Sequence, residues 1–361
     1  MKIYLIYGGK SAEHDISILS AYSILNEIYF DYYQVTPIYI TRSGEWLEGK
    51  EWTNKESIPT DAEALRLATE ASDEHPQALL GAPFLFSKFM KEDIIAFPVL
   101  HGPNGEDGTV QGLFETLGVP YVGAGVLASS TGMDKIISKR LFEEAQLPQV
   151  PYLPVIRNDW EADFQAVLDA SNEALTYPMF VKPANLGSSV GISKAETSEE
   201  LKEAIDFAFK YDRKVVVEQG VDAREIEVAV LGNDDVHASV PGELLKTQQF
   251  YDYDSKYINN DVELNIPADV TEEKKQKFRE YATRAFLAID GNGLSRVDFF
   301  LTKDGEIYLN EVNTFPGFTQ FSMYPRLWES TGLAYGDLIE ELIQLGLQRH
   351  ADRQSFANKD R

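Results

Sequence analysis

Residues 295–313 constrain this chain more than any other stretch. Ser295 to Thr302 and Ile307 to Asn313 are two largely apolar runs around Lys303-Asp304-Gly305-Glu306. Asp-Gly between such runs signals a two-residue hairpin turn. With that turn, Lys303 pairs with Glu306, and counting outward Phe300 faces Leu309, Asp298 faces Glu311 and Arg296 faces Asn313. Side chains alternate with period two along a strand. Arg296, Asp298, Glu311 and Asn313 therefore share one face, with Phe300, Leu309 and Ile307 assigned to it as well. Directly opposed carboxylates repel unless a cation lies between them. Two carboxylates and an amide oxygen suit Mg²⁺, a hard ion that takes oxygen ligands and keeps water or phosphate for the rest. The competing reading is a solvated polar face, against which the apolar neighbours weigh. A register slip or bulge would undo the count.

A second constellation is Phe180-Val181-Lys182-Pro183-Ala184-Asn185-Leu186-Gly187-Ser188-Ser189-Val190-Gly191-Ile192. A strand ends in lysine, and the loop after it holds glycines and serines whose N–H and hydroxyl groups suit phosphate. An ordinary flexible turn fits the same residues, and the Gly-Lys-Ser/Thr ending of a P-loop is absent. Gly123 to Ala128 matches a dinucleotide fingerprint, but no acid ends a second strand about twenty residues later. The polar, tyrosine-rich stretch from Gln248 to Asn260 reads as a functional loop.

The chain opens as strand (residues 3–7), Gly8-Gly9 turn, helix (11–26, with Ser11 as its cap) and strand (35–40), a β-α-β start that points to a parallel sheet. The fold class is α/β. Domain boundaries are expected near Gly132 and Gly220, and the charged tail after His350 is expected to fray. In 361 residues the net charge is −25, which disfavours nucleic acid as a partner. There is no cysteine, the first apolar run is too short for a signal peptide, and no stretch approaches the ~20 apolar residues of a membrane span. A cytoplasmic protein is expected, without a membrane partner.

With these residues in view, the chain resembles the D-alanine–D-alanine ligases of the ATP-grasp superfamily. The resemblance runs from Gly8-Gly9-Lys10-Ser11-Ala12-Glu13-His14 to Pro325. It rests on the loop from His101 to Gly108, the loop from Asn185 to Gly191, the tyrosine-rich loop, and Asn310-Glu311-Val312-Asn313-Thr314 with Pro316-Gly317-Phe318-Thr319. It implies a three-domain ATP-grasp architecture: an N-terminal parallel-sheet domain (1–131) and two α+β domains (132–220 and 221–361) gripping ATP, with a lid at 248–260.

The resemblance also implies roles. Lys135, Lys182, Ser189 and the lid residue Lys256 match phosphate contacts; Glu218 lies near the adenine edge and Glu225 matches the ribose acid. Asp298, Glu311 and Asn313 match ligands of Mg²⁺ or Mn²⁺, with two ions expected. Glu13, linked to Ser188 and Tyr257, matches the acid that holds the ammonium of the first D-alanine. Arg296 and the Gly317 N–H match oxyanion stabilisers; His101, Ser322 and Met323 lie toward the second substrate. The expected reaction makes D-alanyl-D-alanine for peptidoglycan precursors through an acyl phosphate, in a homodimer. Asp254-Ser255 stands where Glu-Ala is common in the family. Tyr257 favours the dipeptide over a D-lactate ester. Rival readings are another second substrate, a carboxylase-type ATP-grasp enzyme, or an inactive ATP-binding protein.

Overall fold

Ile3 to Tyr7 is apolar at every position, the pattern of a strand covered on both faces. The structure, a computed structural model, describes residues 1–70, 79–90, 93–245 and 263–357. In it β1 (Lys2–Gly8) lies between β2 (Gln34–Ile40) and β5 (Ile94–Val99), parallel to both. The short strands β3 (Trp46–Glu48) and β4 (Ala82–Pro83) extend the β2 edge antiparallel. Alternate side chains of β1 enter two cores. Ile3, Leu5 and Tyr7 pack with Ile18 and Leu25 of helix α1 (His14–Glu27). Tyr4 and Ile6 pack with Phe84, Phe89 and with Phe114 of helix α2 (Thr109–Leu117).

Helix α1 starts three residues later than the sequence suggests. Gly8 and Gly9 have φ of +93° and +96°, which turns the chain tightly. Ser11 Oγ accepts from the Glu13 N–H at 3.2 Å, and Glu13, not Ser11, is the N-cap residue. The turn thus leaves the Glu13 carboxylate at the C-terminal edge of a parallel sheet, where α/β folds bind ligands.

Helix α3 (Val126–Met133) and helix α4 (Lys135–Glu144) lead to a second, antiparallel sheet. Its order is β6 (Tyr152–Ile156), β9 (Lys214–Gln219), β7 (Met179–Pro183) and β8 (Ser193–Ala195). Helices α5 (Arg157–Ala162), α6 (Phe164–Ala174) and α7 (Ser198–Ala208) accompany it, and its core includes Val181, Ile205 and Val217. The third sheet runs β13 (Glu263–Asn265), β12 (Gly242–Leu245), β10 (Ala223–Gly232), β14 (Gly293–Thr302) and β15 (Ile307–Asn313), with β11 (His237–Ala238) paired to β10. Helix α8 (Glu272–Ala288) packs on it through Phe278 and Phe286. Helices α9 (Met323–Thr331) and α10 (Tyr335–Ala357) complete the fold.

The cores interleave along the chain. Phe142 of α4 is buried with Val297 and Leu309 of the third sheet. Leu338 and Ile343 of α10 are buried on the first. Helix α10 continues past His350 to Ala357, so the described part of the tail is helical and not frayed as expected.

The β14–β15 hairpin corrects the count in an instructive way. Arg296 faces Asn313 and Asp298 faces Glu311, as counted. Nearer the turn, however, Phe300 faces Tyr308 and Phe299 faces Leu309. The turn holds three residues, with Thr302 pairing to Glu306 and Gly305 at φ +90°. A bulge opposite Asp298/Phe299 restores the register. It turns Leu309 and Ile307 onto the core face with Val297, so these two do not share the face of Arg296 and Asp298.

Candidate active site

The second and third sheets enclose a cleft of about 550 Å³, lined by Lys135, Lys182, Ser189, Glu218, Glu225, Glu227, Arg296, Asp298 and Glu311 among others. Lys182 lies near the end of β7, and its Nζ sits 2.6 Å from Glu218 Oε2 on neighbouring β9. The other carboxylate oxygen, Oε1, is 2.9 Å from Lys139 Nζ. Burial works against the Glu218 charge, yet Lys139 and Lys182 together hold its pKa down to about 2. Burial also works against Lys182, but Glu218 and Glu311 outweigh it and raise its pKa. Lys135 opens α4 and reaches the Leu186 carbonyl at 2.6 Å and Glu311 Oε2 at 3.6 Å. Ser188 and Ser189 stand side by side at φ +52° and +59°, a costly conformation for non-glycine residues.

On the facing hairpin Arg296 is held by two carboxylates. Its Nε and Nη2 donate to Asp298 at 2.7 and 2.8 Å, and Nε lies 2.9 Å from Glu227 Oε2. Asn313 Nδ2 donates to Asp298 Oδ2 at 2.9 Å, which leaves the amide oxygen as a ligand. Among the described residues no three His, Cys, Asp or Glu side chains gather as a ready cation site. The donor set of Asp298, Glu311 and Asn313 nonetheless fits a hard divalent ion, provided phosphate oxygens complete the shell. Asn310, beside the bulge, accepts from Lys182 Nζ at 3.3 Å and ties the two walls together.

A smaller cavity continues from the cleft toward the first sheet, lined by Glu13, His101, Glu106, Ser188, Arg296 and Gly317. Ser188 Oγ donates to Glu13 Oε1 at 2.5 Å, across 175 residues of sequence. His101 is buried, with Nδ1 3.0 Å from the Phe315 carbonyl and Nε2 3.3 Å from Ser20 Oγ. The carbonyl assigns the proton to Nδ1, and burial lowers the ring's pKa. Ser322 is the N-cap residue of α9, and its Oγ accepts from the Thr319 N–H at 3.0 Å. The Met323 side chain is buried in the core, so only its backbone is available at that helix N-terminus.

The structure thus brings together every sequence-predicted site residue it describes around one continuous cleft or, for Ser322 and Met323, on the segment that follows its Gly317 wall. Lys256 and Tyr257, with the lid at 248–260, lie outside the described residues. Three groups were missed. Glu106 accepts from the Gly102 N–H at 2.6 Å and the Phe315 N–H at 3.0 Å; burial and the Glu13 carboxylate push its pKa up to about 8. Glu227 flanks Arg296; its period-two spacing from Glu225, at the start of a strand that runs on apolar from Val228, was the available signal. Lys139 follows Lys135 by four residues, one helical turn, and so shares its face.

Comparison with known proteins places this geometry in a family. A family profile described as D-ala D-ala ligase N-terminus matches residues 2–124, and one described as D-ala D-ala ligase C-terminus matches residues 141–344. The D-alanine–D-alanine ligase of Enterococcus hirae is 57% identical over 356 residues, 99% of each chain. That of Enterococcus faecalis is 55% identical over 349 residues, 97% of this chain and 99% of the relative. Among solved structures, the D-alanine-D-alanine ligase from Coxiella burnetii aligns with a TM-score of 0.82 at 32% identity, over 99% of this chain and 97% of that one. The VanG D-Ala:D-Ser ligase from Enterococcus faecalis aligns with a TM-score of 0.82 at 34% identity, over 96% and 99%. A chain matched along both halves in this way belongs to the D-alanine–D-alanine ligase family.

Proposed function

We propose that the protein joins two D-alanines into D-alanyl-D-alanine, a peptidoglycan precursor, while converting ATP to ADP and phosphate. The observation that carries the reading is the Ser188–Glu13 bond at one end of a cleft whose other end holds Lys182, with Lys135 and Arg296 where the two parts join. An acid at one end suits an ammonium, and cations at the other suit a polyphosphate. A D-amino acid spanning them presents its carboxylate to the γ-phosphate.

In the first step a carboxylate oxygen of the first D-alanine attacks the γ-phosphorus, the bond to the β-phosphate oxygen breaks, and ADP leaves. Glu13 holds the ammonium, and Lys135, Lys182, Ser189 and the lid residue Lys256 hold the phosphates. Glu218 and Glu225 take the adenosine part. Asp298, Glu311 and Asn313 would hold two Mg²⁺ or Mn²⁺ ions. Bound there, these supply positive charge between the phosphates and the acids. In the second step the amine of the second D-alanine attacks the acyl carbon, the C–N bond forms and phosphate departs with a proton from nitrogen. Arg296 and the Gly317 N–H stabilise the oxyanion, and His101, Ser322 and the Met323 backbone orient this substrate. The lid, with Tyr257 completing the Glu13–Ser188 link, excludes water from the acyl phosphate. A cytoplasmic homodimer divided at residues 131 and 220 goes with this reading. No helix among the described residues is long and apolar enough to cross a membrane.

The test is ADP release with Mg-ATP and D-alanine, beside L-alanine and no-substrate controls, with the product mass read from the same sample. Release specific to D-alanine with a dipeptide mass is expected. Folded, ATP-binding protein that releases none refutes the reading. Because one structural relative is a D-Ala:D-Ser ligase, D-serine and D-lactate belong in the same assay as second substrates.

A further inference from the structure

Among the described residues, Lys139 is the one buried cation beside the cleft to which the proposed reaction gives no part. Its side chain is 1% exposed, on the face of α4 that also carries Lys135, and its ammonium lies 5.0 Å over the Tyr152 ring. It does not line the cleft. A lysine is rarely buried without a reason, because removing its ammonium from water is costly. Its ion partner is Glu218 Oε1 at 2.9 Å, and the other oxygen of that carboxylate belongs to Lys182. Lys182 and Glu218 by themselves form a neutral pair. The charge that Lys182 would show a phosphate is then largely cancelled at 2.6 Å. With Lys139 behind Glu218, the buried trio carries a net charge of plus one, and the cleft is where that charge is exposed.

We propose that Lys139 is a positioning residue for the nucleotide: it balances Glu218 from behind, so that Lys182 keeps its positive charge for the polyphosphate. The arrangement also fixes Glu218 in place, since both oxygens are held from opposite sides. The inference rests on the reading of the cleft as an ATP site, but its test does not depend on turnover.

The probe is inorganic tripolyphosphate with Mg²⁺, which carries the charge of the nucleotide without its base. Adenosine is the complementary probe. Binding of each is measured by calorimetry on the full-length wild type, on Lys139→Met, and on Lys139→Met/Glu218→Gln. In Lys139→Met the trio falls to zero net charge, and tripolyphosphate affinity should drop roughly ten- to hundredfold. That is the scale of one unit charge about 6–8 Å away at an effective dielectric constant near 20. Adenosine affinity should fall much less than tripolyphosphate affinity, because Glu218 keeps its contact to Lys182 at 2.6 Å. The double variant restores the net charge of plus one through Lys182 alone, and should bind tripolyphosphate within about threefold of wild type. A purely structural role for Lys139 predicts the opposite order, with the double variant no better than the single. Tripolyphosphate affinity unchanged in Lys139→Met, or not recovered in the double variant, overturns the proposal. If Lys139→Met does not fold, the double variant carries the test alone, and loss of tripolyphosphate binding in it is the refuting result. Wild-type protein that binds tripolyphosphate but makes no dipeptide would instead refute the proposed reaction.

Discussion

Gly102 is where a single methyl group would separate substrate binding from the rest of the site. It has a φ of +73°, and a Cβ built there would stand 2.5 Å from Glu13 Oε2 and 3.4 Å from Ser11 Cβ. A carbon–oxygen contact needs roughly 3.4 Å, so the Glu13 carboxylate must move by about 1 Å. That movement breaks the 2.5 Å bond from Ser188 and misaligns the carboxylate for an ammonium. Hydrogen bonds to charged groups contribute about 1.5–3 kcal/mol, which corresponds to roughly a 10- to 150-fold rise in KM for the first D-alanine. The left-handed backbone adds about 1–2 kcal/mol of strain for alanine, and this appears in stability whatever the collision does. Gly118 separates the two effects. Its φ is +67° and a Cβ there would meet nothing within 4 Å. Gly118→Ala should therefore lower Tm by the backbone strain alone and leave the kinetics unchanged. The assay is steady-state turnover with D-alanine and ATP varied in turn, beside thermal melts. A Gly102→Ala enzyme with normal KM for D-alanine, or with ATP and D-alanine KM raised equally, would refute the argument.

Two further outcomes follow from named contacts. Arg296→Lys keeps a charge between Asp298 and Glu227 but loses the fork that grips Asp298 at 2.7 and 2.8 Å; kcat should fall about 10²-fold with KM little changed, and a change confined to KM would point to uniform binding. Glu106 has its pKa raised to about 8 by burial and then by Glu13, so in the folded protein it keeps its proton where the unfolded chain has lost it. Its contribution is complete below the unfolded value and is lost as pH rises to the folded one, so Glu106→Gln should gain Tm relative to wild type from about pH 4.5 to about pH 8, with a constant difference above about pH 9. A difference in Tm that is flat with pH would contradict the assignment.

Local pattern was enough to locate the strands and most of the cleft, and the failures have physical causes. The facing pairs Asp298/Glu311 and Arg296/Asn313 were counted correctly because two departures cancel: a three-residue turn shifts the register by one and the bulge shifts it back. Neither departure has a signature that period-two counting can see. Leu309 and Ile307 show the cost, since they were assigned to the wrong face. Glu106 sits in a motif that was noticed, but its partners are the N–H groups of Gly102 and Phe315, the latter 209 residues away. Only the packed fold brings that loop to the Phe315 segment. Lys139 was passed over because spacing puts it on one face of α4 without saying what that face meets. The amphipathic pattern of α10 likewise reveals an apolar side, while its seat on the first sheet depends on tertiary packing.

The cleft itself argues for more than one divalent ion. Its lining holds three cationic side chains, Lys135, Lys182 and Arg296, against five acids, Glu218, Glu225, Glu227, Asp298 and Glu311. Lys139 behind the wall reduces the excess to one negative charge. A nucleotide triphosphate brings about four more, into a site of low dielectric where like charges cost most. One magnesium ion leaves the assembly about three charges negative, and a second leaves it about one negative, a remainder that Lys256, proposed above to reach the phosphates, would neutralise. ATP without divalent ions should therefore bind at least ~100-fold more weakly than its magnesium complex. Turnover at saturating ATP should keep rising with free Mg²⁺ after all the ATP is complexed. Glu311→Gln, which removes one acid from the wall, should blunt that second rise more than it weakens binding of the first ion. A turnover curve that is flat from the point where ATP is fully complexed would mean that one ion and the lysines suffice.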